Sequence, residues 1–93
     1  VNAIKIEKDK KEETLAVQGI FVEIGLIPNS DFAVGLSKTE RGEIKVNSKN
    51  ETNIAGIFAA GDVTDIFEKQ IIIAAGEGAK ATLSVFRYLS SRK

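Results

Sequence analysis

Cysteine, histidine, methionine and tryptophan are all absent from the 93 residues. Without cysteine the chain holds no disulfide framework, no thiolate nucleophile and no dithiol redox centre. Without histidine it lacks the usual general base and the commonest metal ligand. The two absences together exclude a structural zinc site or a Ser-His-Asp triad built from this chain alone. There is no excess of either charge: 13 Lys+Arg balance 13 Asp+Glu, leaving no electrostatic footprint for nucleic acid or an anionic membrane. No apolar run is long enough to span a bilayer, and no signal peptide opens the chain. The expectation is a cytoplasmic protein with neither nucleic-acid nor membrane partners. The opening Val1-Asn2-Ala3-Ile4-Lys5-Ile6 reads as the middle of a strand, which suggests a proteolytic or engineered fragment, or one chain of a split protein.

What is present is ordinary globular composition. Hydrophobic residues make up 43% and charged residues 28%, enough apolar surface for one small domain or a piece of a larger one. Val1 to Glu7 alternates as a half-buried strand. The mixed-sign run Lys8 to Glu13 reads as a solvated hairpin loop, and Thr14 to Val17 would pair back on the first strand. Gly19 to Gly25 is a short β-branched apolar run, predicted as a buried strand. The only proline, Pro28, lies in a turn-forming stretch, and a domain boundary is placed there. Asp31 to Lys38 could hold a helical turn, Thr39 to Gly42 is a turn, and Glu43 to Val46 reads as an exposed short strand. A polar loop follows to Asn53. Ile54 to Asp62 is predicted as a second buried strand, and Val63 to Lys69 as a connecting loop. Gln70 to Leu89 is the clearest helix, with Ile73, Ala74, Gly78, Ala81, Leu83, Val85, Phe86 and Leu89 at helical spacing and a positive tail at Arg92-Lys93. Gly76 and Gly78 should each weaken it by about 1 kcal/mol relative to Ala, which points to a backbone or ligand packed closely against them.

Gly76-Glu77-Gly78-Ala79-Lys80-Ala81 matches G-x-G-x-x-A, the dinucleotide fingerprint. It is rejected, because Gln70 to Ala75 already reads as helix and no phosphate-facing helix N-terminus follows the first glycine. Close helix packing accounts better for both glycines. The stronger signal is composite. Gly19-Ile20-Phe21-Val22-Glu23-Ile24-Gly25-Leu26-Ile27-Pro28-Asn29 resembles the second glycine motif of the two-dinucleotide-binding-domain flavoproteins. Thr52-Asn53-Ile54-Ala55-Gly56-Ile57-Phe58-Ala59-Ala60-Gly61-Asp62-Val63 resembles their second FAD motif. Lys69 to Ala81 resembles the last helix of the low-molecular-weight thioredoxin reductases, and more closely that of the alkyl hydroperoxide reductase flavoproteins. The likeness runs from about Val1 to Leu89.

That resemblance implies an α/β fold: the C-terminal part of a FAD/NAD(P)-binding Rossmann-like fold, an incomplete sheet with a β-meander and a long C-terminal helix. Residues 1–27 would end the NAD(P)-binding domain and residues 28–93 would form the C-terminal half of the FAD-binding domain. Asp62 maps to the family aspartate that accepts a hydrogen bond from a ribityl hydroxyl, where the end of a parallel strand meets the ligand crevice. On sequence alone a cap or turn residue is the favoured reading; with the resemblance, ligand binding is favoured. Gly61 would let the cofactor approach the backbone. The helix start, with Lys69, Gln70 and Ile71, would face the flavin edge, its free amides and dipole stabilising negative charge on the reduced ring. An ordinary helix start accounts equally well for Lys69 as an individual contact. The Gly25–Pro28 turn has a structural role. No residue is assigned as catalytic or as a metal ligand.

The family's two G-x-G-x-x-G motifs and its C-x-x-C are not in the chain. The resemblance therefore implies a part of an NAD(P)H-dependent flavoprotein disulfide reductase, using FAD and inactive alone. It would partner the complementary N-terminal part, homodimerise, and pass electrons to a thioredoxin-like or peroxiredoxin-type acceptor. The choice of NADH or NADPH is left open. The alternative is a small α/β nucleotide-binding or regulatory module without redox activity; a third reading is an assembly chain whose apolar helix face makes an oligomer contact.

Overall fold

The computed structural model describes residues 1–92; of the positive tail read in the sequence, Lys93 lies outside them. Two strands, β1 (Ala3–Lys8) and β2 (Lys11–Ala16), form an antiparallel hairpin in register from Ala3 opposite Ala16 to Lys8 opposite Lys11. The loop is shorter than the charge run suggested, because Asp9 and Lys10 alone make the turn, both at positive φ (53° and 63°). Positive φ at both central residues matches the right-handed twist of the flanking strands. Ile4 and Ile6 are half-buried, and the face they share pairs Ile4 with Leu15 but Ile6 with Glu13.

The two predicted buried strands are absent as ladders. Residues 19–27 make no backbone hydrogen bond among the described residues, and Phe21 (101%), Ile24 (92%) and Ile27 (92%) are exposed. Residues 54–62 keep one isolated antiparallel bridge, Phe58 to Glu51. The physical reason is the same in both. A parallel-type strand is stabilised by neighbours on each side and by covered faces, and the described residues supply neither. Glu43 to Val46 also departs from its expected exposure. Ile44 is 3% exposed, the single buried hydrophobic side chain among the described residues. It bridges Lys38 on one side and Thr64 on the other: Ile44 N–H donates to the Val63 carbonyl at 2.8 Å, and Asp65 N–H donates to the Ile44 carbonyl at 3.0 Å.

The helix α1 (Ile71–Ser90) is where the periodicity put it, with Gln70 as its N-cap. Its contacts with the loops run along a stripe of small and polar residues: Ala74, Glu77, Ser84 and Tyr88. Leu83, Phe86 and Leu89, expected in the core, are 55%, 70% and 60% exposed. Tyr88 anchors the C-terminal half. It meets Phe58 edge-on with ring centroids 5.8 Å apart, and Arg92 lies 5.1 Å over its face. Gly56, at φ 87°, lies under the Tyr88 hydroxyl, 3.1 Å from where a Cβ would be, so its backbone disfavours a side chain and an added Cβ would push on the ring. At Gly76 and Gly78, by contrast, an added Cβ meets nothing within 4 Å. The close packing inferred from these glycines is not made within this chain.

The molecule is long, with extents of 66 × 25 × 20 Å and a radius of gyration of 19.7 Å. A compact chain of this length would have about 12–13 Å. Neither strand of the hairpin contacts α1.

Candidate functional site

The sequence Gly61-Asp62-Val63-Thr64 folds as a tight turn. Thr64 N–H and Thr64 Oγ1 both donate to the Gly61 carbonyl, at 3.0 and 2.7 Å, and Thr64 is fully buried. Gly61 has φ 81°, a conformation that disfavours any side chain, and its backbone lies against Ala74 of α1, with 3.6 Å from an added Cβ to the Ala74 Cβ. The turn is thus clamped between Ile44 and the first turn of the helix. The clamp leaves Asp62 exposed, and its carboxylate makes no hydrogen bond or ion pair among the described residues.

Asp62 borders two adjoining clefts. The larger, about 330 Å³, is bounded by the Gly25–Pro28 turn, by Arg41 and Glu43, and by Asp65, Phe67 and Lys69. The smaller, about 230 Å³, lies between Leu26–Asn29 and Asp62–Val63. The lining combines apolar Leu26, Pro28 and Phe67 with charged Arg41, Glu43, Asp62, Asp65 and Lys69, a combination suited to a ligand with a flat apolar part and a polar arm.

Lys69 lies in the larger cleft, with its ammonium engaged by the protein. It pairs with Glu43 Oε1 at 3.0 Å, both side chains being 18% exposed, and donates to the Thr64 carbonyl. The second Glu43 oxygen accepts from Thr39 Oγ1 at 3.2 Å. Lys69 above all, with Thr39 and Arg41 adding less, holds the Glu43 carboxyl below the usual carboxylate range against the opposing effect of burial. Gln70 and Ile71 follow at the helix start and are exposed, outside the residues lining the cleft. That start is bare. Gln70 makes no side-chain cap, no acidic residue occupies the first turn, and the first helical bond runs from Ala74 N–H to the Gln70 carbonyl at 2.9 Å. The amides of Ile71, Ile72 and Ile73 have no partner among the described residues, which leaves about half a positive charge at this end.

Sequence reasoning missed Glu43, Thr64 and Asn50. Asn50 is fully buried at φ 62°. Its Nδ2 donates to the Ala59 carbonyl at 3.1 Å and to Glu77 Oε2 at 2.7 Å, while its Oδ1 is buried without a partner. The Asn50 amide first, and Lys80 second, hold Glu77 below its ordinary value. This clamp fixes the loop before Gly61 to the middle of α1. No local pattern announces it: an Asn in a polar stretch reads as solvent-facing until its distant partner is known. No helix of the described residues is long and apolar enough to cross a membrane, and no group of acidic side chains among them could hold a metal ion.

Comparison with known proteins agrees with this architecture. Residues 2–82 match the family described as pyridine nucleotide-disulphide oxidoreductase. The chain is 52% identical over 80 residues to an alkyl hydroperoxide reductase subunit of Pseudomonas putida, and 54% identical over 80 residues to the corresponding protein of Escherichia coli K12. Each alignment covers 85% of the chain and 15% of the relative. The crystal structure of T. acidophilum thioredoxin reductase superposes with a TM-score of 0.83 at 36% identity, covering 99% of this chain and 31% of that one. The chain therefore spans about one-sixth of the curated relatives it matches (15%) and about a third of the solved structure (31%).

Proposed function

The chain belongs to the pyridine nucleotide-disulphide oxidoreductase family, and from that premise we propose that it is the C-terminal part of an FAD-dependent disulfide reductase of the thioredoxin reductase or alkyl hydroperoxide reductase flavoprotein kind. Residues 28–93 form the returning half of the FAD-binding domain and residues 1–27 the end of the NAD(P)-binding domain. One observation carries the reading. An unpartnered carboxylate, Asp62, follows a glycine whose backbone packs on Ala74 in the first turn of α1, and the start of that helix is uncapped. A hydroxylated chain needs acceptors, and an electron-rich ring edge needs donors and positive potential. The residues present supply both, so they fit FAD.

In this reading Asp62 accepts from a ribityl hydroxyl, Gly61 keeps the turn flush against α1, and the amides at Ile71 and Ile72 face the ring. Lys69 and Gln70 set the approach of the helix. When bound, FAD supplies hydride acceptance from NAD(P)H and electron delivery toward a disulfide. The chain's own residues bind, orient and electrostatically bias it, and no side chain here need move a proton. The 93 residues alone are inactive, because the pyrophosphate clamp, the nicotinamide site and the dithiol lie on other sequence. Partners of the whole enzyme are its complementary N-terminal part, a second copy, and a thioredoxin-like or peroxiredoxin-type acceptor, in the cytoplasm.

Asp62→Ala in the flavoprotein that carries this segment tests the reading. Size-exclusion chromatography with protein and visible flavin absorbance recorded together should show FAD separating from the variant while the assembly keeps its size. Full flavin retention in the variant would remove Asp62 from the cofactor site.

A further inference from the structure

We propose that Glu43 is a positioning residue of the cofactor face, acting through Lys69 to set the charge presented to the flavin. The proposal rests on the flavin reading above. Its basis is a three-way tie. Lys69, the residue before the helix N-cap, reaches Glu43 at 3.0 Å and the Thr64 carbonyl, while Glu43 is steadied by Thr39 at 3.2 Å. The turn at 39–43, the Gly61–Asp62 turn and the start of α1 are thereby joined at one point.

A backbone tie already joins two of these parts. Ile44 N–H donates to Val63 and the Ile44 carbonyl accepts from Asp65, at 2.8 and 3.0 Å. The distance between the Glu43 turn and the Asp62 turn is fixed without any charge. What the ion pair adds is electrostatic. The helix start offers about half a positive charge through its amides. An uncompensated Lys69 ammonium beside it would add a whole one, in a place where the side chain is 18% exposed and solvent screening is weak. Glu43 cancels that charge at contact distance and turns the ammonium toward Thr64. The potential at the ring is then left to the helix amides. Lys69 in turn holds the Glu43 carboxyl below its ordinary value, which favours the charged partner of the pair.

The experiment uses the complete flavoprotein with FAD bound, and four variants: Glu43→Gln, Lys69→Met, the double variant, and Lys69→Arg. The readout is the flavin midpoint potential from dye equilibration, alongside FAD retention. Reduced flavin carries more negative charge than oxidised flavin. Glu43→Gln should therefore shift the potential positive, Lys69→Met should shift it negative, and the double variant should return toward the parent. Lys69→Arg preserves the charge and should keep the parent potential, and the two Lys69 variants read the pair even where Glu43→Gln does not fold. Single variants that keep their flavin but shift the potential in the same direction, or not at all, would overturn the proposal and leave the flavin reading standing. A parent protein that purifies without flavin and cannot take up FAD would overturn both.

Discussion

Asn50 shows how one residue can hold a loop to a helix at a cost. Its backbone sits at φ 62°, a conformation that costs most residues about 1 kcal/mol and asparagine less. Its amide donates twice, once to the charged Glu77, while its Oδ1 is left buried and unpaired. Asn50→Ala removes both donors and adds to the strain, so it should destabilise the fold by about 2–4 kcal/mol in urea unfolding. Asn50→Gly removes the donors and relieves the strain, and should lose about 1 kcal/mol less. An Asn50→Ala chain as stable as its parent would mean that the unpaired oxygen costs as much as the two bonds contribute. Legibility at this scale divides by range. The loop that follows Asp62 and the helix after it could be read from nearby sequence, while a cofactor role for Asp62 is implied by the family resemblance alone. Asn50 could not be read, because its partner is 27 residues away; Glu43 likewise depends on Lys69, across the whole intervening loop.

The helix behaves as an element whose two faces obey different rules. Its ends were legible to within one residue, because apolar spacing and a basic last turn act locally. Its buried face was legible in part: Ile73, Ala74, Ala81 and Val85 are half-buried as their spacing suggests, but Leu83, Phe86 and Leu89 are exposed and further contacts fall on the polar Glu77, Ser84 and Tyr88. Gly76 is exposed and has open space around it, so Gly76→Ala in the 93-residue chain should raise helix stability by about 1 kcal/mol, seen as higher helical circular dichroism and a later urea midpoint. A loss of stability would show that a backbone does approach there. Glu77 gives the element its pH dependence. Its carboxyl is held below its ordinary value in the folded state, by Asn50 first and Lys80 second. The folded state therefore binds fewer protons than the unfolded one through the acid range. The stability this contributes is complete above the ordinary carboxylate pKa and is lost as pH falls through the lowered one. Glu43 has the same sign. Replacing both by Gln should flatten the acid limb of a stability–pH curve, and an unchanged limb would place the acid-sensitive groups elsewhere.

At the scale of the whole molecule, surface area decides what kind of object this is. The described chain exposes 7816 Å². A compact monomer of this mass exposes about 5,200 Å², so the excess is about 2,600 Å², the size of a large permanent interface. Much of it is apolar and contiguous in sequence: Phe21, Val22, Ile24, Leu26 and Ile27 are all exposed. The same residues carried the strand prediction. The composition reads as that of a covered strand, but the described residues supply no neighbours for one, and no local pattern can supply them. Two populations of backbone amides follow. Those of Ile44, Thr64 and Asp65 are bonded within the chain and need no partner. Those of residues 19–27 have no bond here, and central strands of a parallel sheet would be bonded on both sides. Amide hydrogen exchange on the isolated chain should show residues 19–27 exchanging freely and Ile44 and Thr64 protected. In the complete flavoprotein the first group should become protected by several orders of magnitude and the second should change far less. Free exchange of residues 19–27 in both would mean that this apolar segment is not a sheet strand of the assembled enzyme, and the placement of residues 1–27 in a second dinucleotide-binding domain would fall with it.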